Sequence, residues 1–451
     1  MTHPLLREHA ELATAIGILD DWTAHQTRQR HQPGLALGIV YAGELLWGKG
    51  YGLADLETGR PVTLDSRFRI ASITKTFTAT GILQLRDAGV LGLDDPVSQH
   101  LDWFDLRYGD APEITIRNLL THTAGLPRDS KNPMWTECEA PAWEEFIADT
   151  RTRAPTRPPY EKFAYSNLGY SLLGGVIAAV TGQSWAEYLQ TEVLDALGMS
   201  ETRPLPSADD PQLATGYTRE KDGYRRDALP FWLMNGFEAS ANFASSVNDL
   251  VKYAGFHLGL ADGAVLSPHT LLDMHRVHWL DEGWKSGYGL GMGLHRIKDW
   301  EISGHGGGYP GYLTAFSVCR EHKTGVIVLT NALGSDPHEY VQQAYKLVLP
   351  EIIKATAEEK PEAQEDWARY VGVYESDWAM QKVVIRDGQL QIVSLDWIDE
   401  KPTILEPTDE AGVFTLKQAG QSNETLRFEL DEDGEVRRMW ERSEYSTPVD
   451  R

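Results

Sequence analysis

The sequence predicts an α/β (α+β) chain: an antiparallel sheet flanked by N- and C-terminal helices, an inserted helical subdomain, and a small all-β barrel-like domain at the C-terminus. Three observations predict this class. Strand-like runs stand before and after a mostly helical section at about 72–260. A charged stretch with a proline and no large apolar residue follows at 356–366 and is typical of a linker. Hairpin signals dominate residues 367–451.

The first elements are a helix and a hairpin. Apolar residues recur at helical spacing near the start of the chain, at Leu12, Ile16, Leu19 and Trp22. Two β-type runs, at about 35–41 and 45–52, flank Gly43-Glu44 and predict a hairpin. We expect the first helix to cover one face of the sheet.

Helices dominate the middle of the chain, and strands then return. A helix is predicted over 167–182, closed by Gly182, and Ser184 is placed to cap the next helix. Strands are predicted at 288–294, 312–319 and 325–332, and a helix at about 337–355. The last helix is therefore a second cover for the sheet.

The C-terminal part carries two hairpin signals. Asp387-Gly388 and Asp433-Gly434 each stand between alternating strand-like runs, and Asp-Gly is a strong hairpin turn. The sequence thus predicts a main domain at 1–355, a linker at 356–366 and a small antiparallel β-domain at 367–451.

Composition excludes some classes of function. The 451 residues are 41% hydrophobic and 24% charged, with a formal net charge of −24. An acidic protein repels phosphate, so no nucleic-acid partner is expected. No apolar run is long enough for a membrane helix, and the start has no signal-peptide pattern, so we expect a cytoplasmic protein. The two cysteines, Cys138 and Cys319, are expected to be reduced.

A late glycine run with one histidine, "HGGGYPG" (305–311), allows three interpretations. A dinucleotide fingerprint needs a helix after the glycines, but Pro310 and a strand-like run follow. A lipase-type oxyanion loop needs a Gly-x-Ser-x-Gly elbow downstream, and the chain has none. The third interpretation is a strand edge, bare of side chains, that pairs with a peptide-like substrate.

A nucleophile for such a site is available at the start of the inserted helical section. Ser72 and Lys75 stand three residues apart, so both side chains lie on one face of a helix. A serine hydroxyl needs a base, and burial of a lysine lowers its pKa enough for that role. The alternative is a capping serine with a lysine that reaches solvent.

A third motif, Tyr165-Ser166-Asn167, stands in a loop just before a predicted helix. A phenol beside a cation can carry protons, and an amide can hold both a lysine and a substrate carbonyl. The alternative is a core tyrosine with Asn167 as a helix cap.

With these three motifs in this order, the chain resembles the serine β-lactamase and penicillin-binding protein superfamily. Within it, the chain is similar to the branch of class C β-lactamases, D-alanyl-D-alanine carboxypeptidases, D-aminopeptidases and related esterases. The resemblance covers about residues 10–350. It includes "LLTHTAGLP" (119–127), "LGLDDPV" (91–97) and "ANFASSVNDLVKYA" (241–254). The domain after residue 366 resembles the lipocalin-like appendages of some peptidases in this branch.

The resemblance implies a role for each motif residue. Ser72 matches the acylated nucleophile, Lys75 its partner base and Tyr165 the proton shuttle to the leaving group. Asn167 matches the amide ligand of lysine and substrate.

The late glycine run is matched in the same way. His305 stands where many relatives carry the lysine of a Lys-Thr-Gly strand, and Gly307 matches the glycine of that motif. Gly308 would supply the second oxyanion N–H beside that of Ser72.

His305 is the departure from the family pattern. A histidine is mostly neutral near pH 7, so we expect weaker anchoring of a substrate carboxylate and little β-lactamase activity. Histidine variants resemble the esterases and aminopeptidases of the branch. A structural histidine bonded to neighbouring backbone is the alternative.

Other candidates are weaker. His122 is expected to fix a loop. His275 and His278 suggest a metal pair, but a solvated helix face is the favoured interpretation, and no metal or cofactor is expected. Tyr309, Trp232 and Trp284 are candidates for a pocket lining.

Two function hypotheses follow. The first is a cofactor-free serine hydrolase that forms an acyl-enzyme on amide or ester bonds. We favour a peptidase or amidase of short peptides, including D-residue peptides, over a carboxylesterase or weak β-lactamase. The second is an inert ligand-binding protein of the same fold. The expected partner is a small-molecule or short-peptide substrate. The sequence is compatible with either a monomer or a homo-oligomer.

Overall fold

The computed structural model describes residues 3–261, 263, 265–357, 365–386, 388–395, 403–417, 424–442 and 444–449. The chain divides into two compact units, Met1–Ala355 and Thr356–Arg451. Most of the predicted linker, residues 358–364, lies outside the described residues, and so does Asp387 of the first predicted turn.

The first unit is built on an antiparallel sheet. Its described strands are β1 (Gly34–Tyr41), β2 (Glu44–Asp55), β3 (Arg60–Pro61), β4 (Phe68–Arg69), β5 (Ala244–Ser245), β6 (Trp279–Leu280), β7 (Ser286–Tyr288), β8 (Gly293–Ile297), β9 (Trp300–Tyr309), β10 (Tyr312–Cys319) and β11 (Thr324–Thr330). In the described part of the chain, nine of them form one sheet in the order β3-β2-β1-β11-β10-β9-β8-β7-β6, while β4 and β5 pair separately.

Helices cover both faces of this sheet. The described α-helices are α1 (Pro4–Glu8), α2 (Ala10–Gln29), α3 (Thr74–Asp87), α4 (Val97–His100), α5 (Ile116–Leu120), α6 (Met134–Glu137), α7 (Trp143–Thr150), α8 (Asn167–Thr181), α9 (Trp185–Leu189), α10 (Glu238–Ala241), α11 (Val247–His257), α12 (Pro268–Met274) and α13 (Pro337–Ala355). A π-helical turn, Gln190–Asp195, continues α9.

The predicted covers of the sheet are confirmed. Leu12, Ile16 and Leu19 of α2 form one core with residues of α13 and of the inner strands. The inserted helices pack on the other face in a second, larger core. Strands β1 and β11 are therefore buried on both faces, which explains why they are almost wholly apolar.

Three predicted elements differ in detail. Residues 288–294 are not one strand, because the chain turns between β7 and β8 with Gly291 at φ +85°. Ser166 caps α8 by accepting a hydrogen bond from the Gly169 N–H, so Asn167 is the first helical residue. Gly182 ends that helix in the left-handed conformation, and Ser184 caps α9, as predicted.

The second unit is a closed barrel. Eight strands are described in it, paired in chain order: β12 (Gly372–Glu375), β13 (Met380–Arg386), β14 (Gln389–Ser394), β15 (Thr403–Pro407), β16 (Val413–Lys417), β17 (Glu424–Leu430), β18 (Val436–Glu441) and β19 (Glu444–Pro448). An up-and-down order is the arrangement of lipocalin barrels. Its interior is filled by aromatic and aliphatic side chains, among them Tyr370, Phe414 and Phe428, and the barrel-like prediction is confirmed.

None of the described helices has a stretch both long and apolar enough to cross a membrane.

Candidate active site

Ser72 lies in a 3₁₀ turn, Ala71–Ile73, between β4 and α3. The turn is anchored because the Ile70 carbonyl accepts a hydrogen bond from the Thr314 hydroxyl of β10, at 3.1 Å. Ala71 has φ +50°, a left-handed conformation that costs a non-glycine residue free energy. This strained residue directly precedes Ser72, whose side chain is half-buried while its neighbours are buried.

Lys75 is fully buried on the first turn of α3, with three oxygen atoms around its amine. Nζ lies 2.7 Å from Oδ1 of Asn167, 2.8 Å from the Ser240 carbonyl oxygen and 3.1 Å from Oγ of Ser72. Burial lowers the pKa of Lys75 well below its usual value, which favours the neutral amine.

The three partners of the Lys75 amine differ in what they can do. Asn167 Oδ1 and the Ser240 carbonyl can only accept, so each takes an N–H bond of Lys75. The Ser72 hydroxyl, 3.1 Å from Nζ, accepts the third contact and is also able to donate. In the neutral form of the amine, the lone pair would be left for that hydroxyl, as a general base needs.

Hydrogen bonds to residues 128 and 129 fix the orientation of Asn167. Its Nδ2 donates to Oδ1 of Asp129 at 2.7 Å, which fixes Oδ1 of the amide toward Lys75. Its backbone N–H donates to the Arg128 carbonyl. The loop at 127–129 therefore clamps the start of α8 against α3.

Tyr165 lies directly beside the lysine, half-buried, with its ring 4.9 Å from the Lys75 amine. Burial raises the pKa of the phenol above its usual value, and a hydrogen bond with Ser72 opposes that rise. The phenol is thus protonated at neutral pH and lies next to the hydroxyl that would be acylated.

His122 packs on the other side of Tyr165, with ring centroids 4.3 Å apart. Its Nδ1 accepts the Ser166 N–H at 3.1 Å, and its backbone carbonyl accepts the Ala164 N–H. Burial and the nearby Lys75 lower the pKa of His122 well below its usual value. The predicted loop-fixing residue therefore fixes the loop that carries the phenol.

His305 lies on β9 with its ring 6.0 Å from that of Tyr165. Its Nδ1 is 2.6 Å from the Gly306 carbonyl oxygen, which can only accept, so the ring proton is on Nδ1. Nε2 then accepts the Tyr288 hydroxyl at 3.1 Å. Burial lowers the pKa of His305 to about 3, so the ring is neutral.

The glycines after His305 let β9 approach the serine turn. A Cβ on Gly307 would lie 2.3 Å from the Ile70 carbonyl oxygen and 2.2 Å from the Thr314 hydroxyl oxygen. Gly308 is exposed, and a Cβ there would contact Leu313 alone, at 3.7 Å. Side chains are therefore excluded at Gly307 and tolerated at Gly308.

Beyond Gly304 this strand has one open edge. β10 pairs with β9 from Ser303 to Tyr309, whereas the pairing with β8 stops at Gly304 in the part of the chain that the structure describes. Residues 305–309 therefore offer an edge that an extended substrate could join. A cavity of about 350 Å³, lined by Tyr165 and His305 among others, lies beside this segment.

The three aromatic candidates lie elsewhere. Tyr309 and Trp232 are buried and stacked on each other at 4.8 Å, and the Tyr309 hydroxyl donates to the Trp232 carbonyl. The Arg69 guanidinium lies 4.2 Å from the Tyr309 ring. Trp284 is 81% exposed and lines a different cavity with His275. These aromatics form a core cluster and a surface turn instead of a lining shared with Ser72.

The interpretation of His275 and His278 as a solvated helix face is wrong. Helix α12 ends at Met274, and His275 turns inward, where Nε2 meets Nδ1 of His257 at 3.0 Å and Nδ1 meets Ser303 Oγ at 2.7 Å. His278 contacts Asp273. Tertiary contacts of this kind leave no periodic signal.

Sequence reasoning missed four neighbours of the site: Arg128, Asp129, Ser240 and Tyr288. The Arg128-Asp129 pair directly follows the stretch "LLTHTAGLP" (119–127), and that was the available signal. Ser240 acts through its backbone carbonyl, which no residue type reveals.

A model of the beta-lactamase family matches residues 19–349. The chain belongs to the beta-lactamase family. Penicillin-binding protein 4* of Bacillus subtilis (strain 168) is 28% identical over 439 residues, which cover 91% of this chain and 88% of that protein. The resemblance stated from the motifs is thereby confirmed.

Solved structures agree with this assignment. An octameric penicillin-binding protein homologue from Pyrococcus abyssi superposes with a TM-score of 0.68 at 25% identity, over 96% of this chain and 99% of that one. The D-amino acid amidase of Ochrobactrum anthropi SV3, solved with D-phenylalanine, superposes with a TM-score of 0.62 at 27% identity. That match covers 75% of this chain and 99% of the amidase chain. The beta-lactamase-like fold with a C-terminal barrel is confirmed, and this family is one of serine hydrolases.

Proposed function

We propose that this chain is a serine hydrolase that cleaves amide bonds of short peptides or amino-acid amides, including those with D-residues, through an acyl-enzyme at Ser72. The observation that carries the proposal is the set of contacts around Lys75. Its amine donates to Asn167 Oδ1 and to the Ser240 carbonyl, and it lies 3.1 Å from the Ser72 hydroxyl oxygen.

In acylation, Ser72 Oγ attacks the substrate carbonyl while its proton passes to Lys75 Nζ. The negative charge on the carbonyl oxygen is met by the N–H groups of Ser72 and Gly308. Tyr165 then gives its proton to the leaving nitrogen and regains one from Lys75 as the C–N bond breaks. Water attacks the acyl-serine in the second half, and the carboxylic acid leaves with Ser72 restored.

The substrate class rests on the open edge of β9 and on two relatives. Residues 305–309 can pair with an extended peptide-like chain, which an amide substrate provides and a simple ester does not. The D-amino acid amidase and the penicillin-binding protein are similar to this chain over most of its length. Both support amide hydrolysis.

A carboxylesterase is the second candidate, and His305 favours it. Its two ring nitrogens are occupied by Gly306 and Tyr288, and the ring is neutral. It therefore offers no cation to a substrate carboxylate, which removes one recognition element for C-terminal peptide acids and for penicillins.

The test is a panel of D- and L-amino-acid p-nitroanilides and p-nitrophenyl esters, run on the wild type and on Ser72→Ala. We expect turnover of at least one p-nitroanilide, with a preference of chirality, and a mass increase at Ser72 with a fluorophosphonate. Turnover confined to the esters would support the carboxylesterase. No turnover of any substrate, with ligand still bound, would establish the inert binding protein.

Assembly is a separate proposal. The Pyrococcus abyssi homologue is an octamer, and its match over nearly the whole chain supports a homo-oligomer here. Light scattering of the purified chain would measure the mass in solution, and a monomeric mass would contradict it.

A further inference from the structure

A groove of about 840 Å³ opens in the helical section, away from the serine. It lies among α4, α7, α8, α9 and α10, and neither Ser72, Lys75, Tyr165 nor His305 lines it. A volume of this size is typical of sites for small molecules.

Three tryptophans give the groove its apolar walls: Trp103, Trp143 and Trp185. The rings of Trp103 and Trp143 meet edge to face at 6.3 Å. Trp143 can lie against α8 because position 175 is a glycine, where a Cβ would come within 2.6 Å of the indole. The aromatic surface is therefore built into the helix packing.

One carboxylate in the groove is unpartnered. Glu238, the first residue of α10, is half-buried, and the part of the chain that the structure describes gives its side chain no hydrogen bond and no ion pair. Burial raises the pKa of the Glu238 carboxyl to about 7. Desolvation of a carboxylate without compensation is costly, and a bound cation would remove that cost.

The other charges point to the same ligand class. Asp102 is a second acidic residue of the lining, and His100 is bonded to Asp95. No lysine or arginine is among the described residues that line the groove. An aromatic-walled groove with acidic side chains and no competing cation attracts an organic ammonium.

We propose that this groove is a second binding site, distinct from the serine site, for a small organic cation with an apolar body, whose ammonium pairs with Glu238 between the tryptophans. The proposal does not depend on the hydrolytic function, since no residue of the serine site lines the groove.

The groove nevertheless has a structural connection to the serine site. α10 forms part of one wall through Glu238, and the carbonyl of Ser240, two residues on, accepts a hydrogen bond from the Lys75 amine. A ligand at Glu238 would therefore contact the helix that orients the base.

The experiment uses 2-phenylethylammonium as the probe, titrated into the full chain and followed by calorimetry and by tryptophan fluorescence. We expect saturable binding that Glu238→Gln weakens by about tenfold or more, because the charge-assisted contact is lost. The neutral isostere 2-phenylethanol should bind the wild type more weakly than 2-phenylethylammonium does. Its affinity for Glu238→Gln should equal its affinity for the wild type. Glu192→Gln, a change of an exposed acid outside the groove, is the matched control and should not alter affinity.

Two outcomes would overturn the proposal. One is equal affinity of the probe for the wild type and for Glu238→Gln, and the other is no binding to the wild type at millimolar probe. A thermal melt checks that Glu238→Gln is folded. Trp143→Leu is a second variant that should weaken binding without removing the charge.

Discussion

Two serine hydroxyls in the described part of the first unit lie within hydrogen-bond distance of a basic side-chain nitrogen, and their surroundings differ. Ser72 is 3.1 Å from the Lys75 amine, and Ser303 is 2.7 Å from Nδ1 of His275. Burial lowers the pKa of both bases, that of His275 to about 3. Judged by distance alone, Ser303 and His275 would be the better nucleophile–base pair.

The difference is in what else surrounds each hydroxyl. Ser72 is half-buried on a turn that β9 approaches at Gly307, and among the described residues β9 has no strand paired on its β8 side beyond Gly304. Ser303 lies inside β9, paired with Leu294 on one side and Val318 on the other, and is 6% exposed. Ser72 is thus more accessible than Ser303, and a short nucleophile–base distance does not by itself make an active site.

The largest expected effect separates the two serines directly. Ser72→Ala should lower kcat/KM by about 10⁴-fold or more and abolish fluorophosphonate labelling, since the nucleophile is removed. Ser303→Ala should leave both unchanged. Mass spectrometry of the labelled peptides measures the outcome, and label at Ser303 in the wild type would contradict the comparison.

The next effect concerns the close approach of β9 to the serine turn. Gly307→Ala places a methyl group 2.3 Å from the Ile70 carbonyl oxygen, so strand and turn must separate. We expect a loss of kcat/KM of about 100-fold, as for an ångström-scale misplacement.

Gly308→Ala is the matched control, because a methyl group there finds an ordinary contact with Leu313. It should retain activity within about threefold. Equal losses of kcat/KM in the two alanine variants would show that the close approach of Gly307 to the Ile70 carbonyl is not what the activity depends on.

A smaller effect is a shift of the pH profile. In the proposed mechanism the neutral amine of Lys75 is the active form, so activity should be lost as pH falls through the pKa of Lys75. Asp129 raises that pKa and Arg128 lowers it, both through charge. Asp129→Asn should therefore move the acid limb of kcat/KM to lower pH and Arg128→Gln to higher pH, by about half a unit or more.

Asn at position 129 keeps an oxygen for the Asn167 amide, so the geometry of the site should survive. Arg225→Gln is the control for Arg128, since both side chains are 71% exposed, and it should cause no shift. Shifts of the same sign in the Asp129 and Arg128 variants would contradict a neutral Lys75 as base.

The smallest effect is structural. Ser303→Ala removes a buried hydrogen bond to His275, and should lower the free energy of unfolding by about 1 kcal/mol without changing kcat/KM. Urea unfolding followed by circular dichroism measures it. A loss of activity larger than the loss of folded protein would assign Ser303 a part in the reaction.

Local pattern was enough for much of the fold. The Ser184 cap and the Gly182 end of α8 depend on conformational preferences of single residues, and each lies where the sequence places it. The first hairpin turns at Ala42-Gly43, one residue before the predicted Gly43-Glu44, because Glu44 already pairs with Tyr41. The segment 288–294 is predicted as one strand, but Gly291 adopts a positive φ and the chain turns there.

The sequence by itself determined that Ser72 and Lys75 share a helical face, because a three-residue spacing is a property of the helix. The order of the Tyr165 loop and of the glycine-rich strand β9 along the chain is also a property of the sequence, and that order marks the family. Only the tertiary structure decided the pKa of each group. The pKa of Lys75 is lowered because the folded chain buries its amine beside residues 92 and 165 positions away, and desolvation depends on what the folded chain packs around a group.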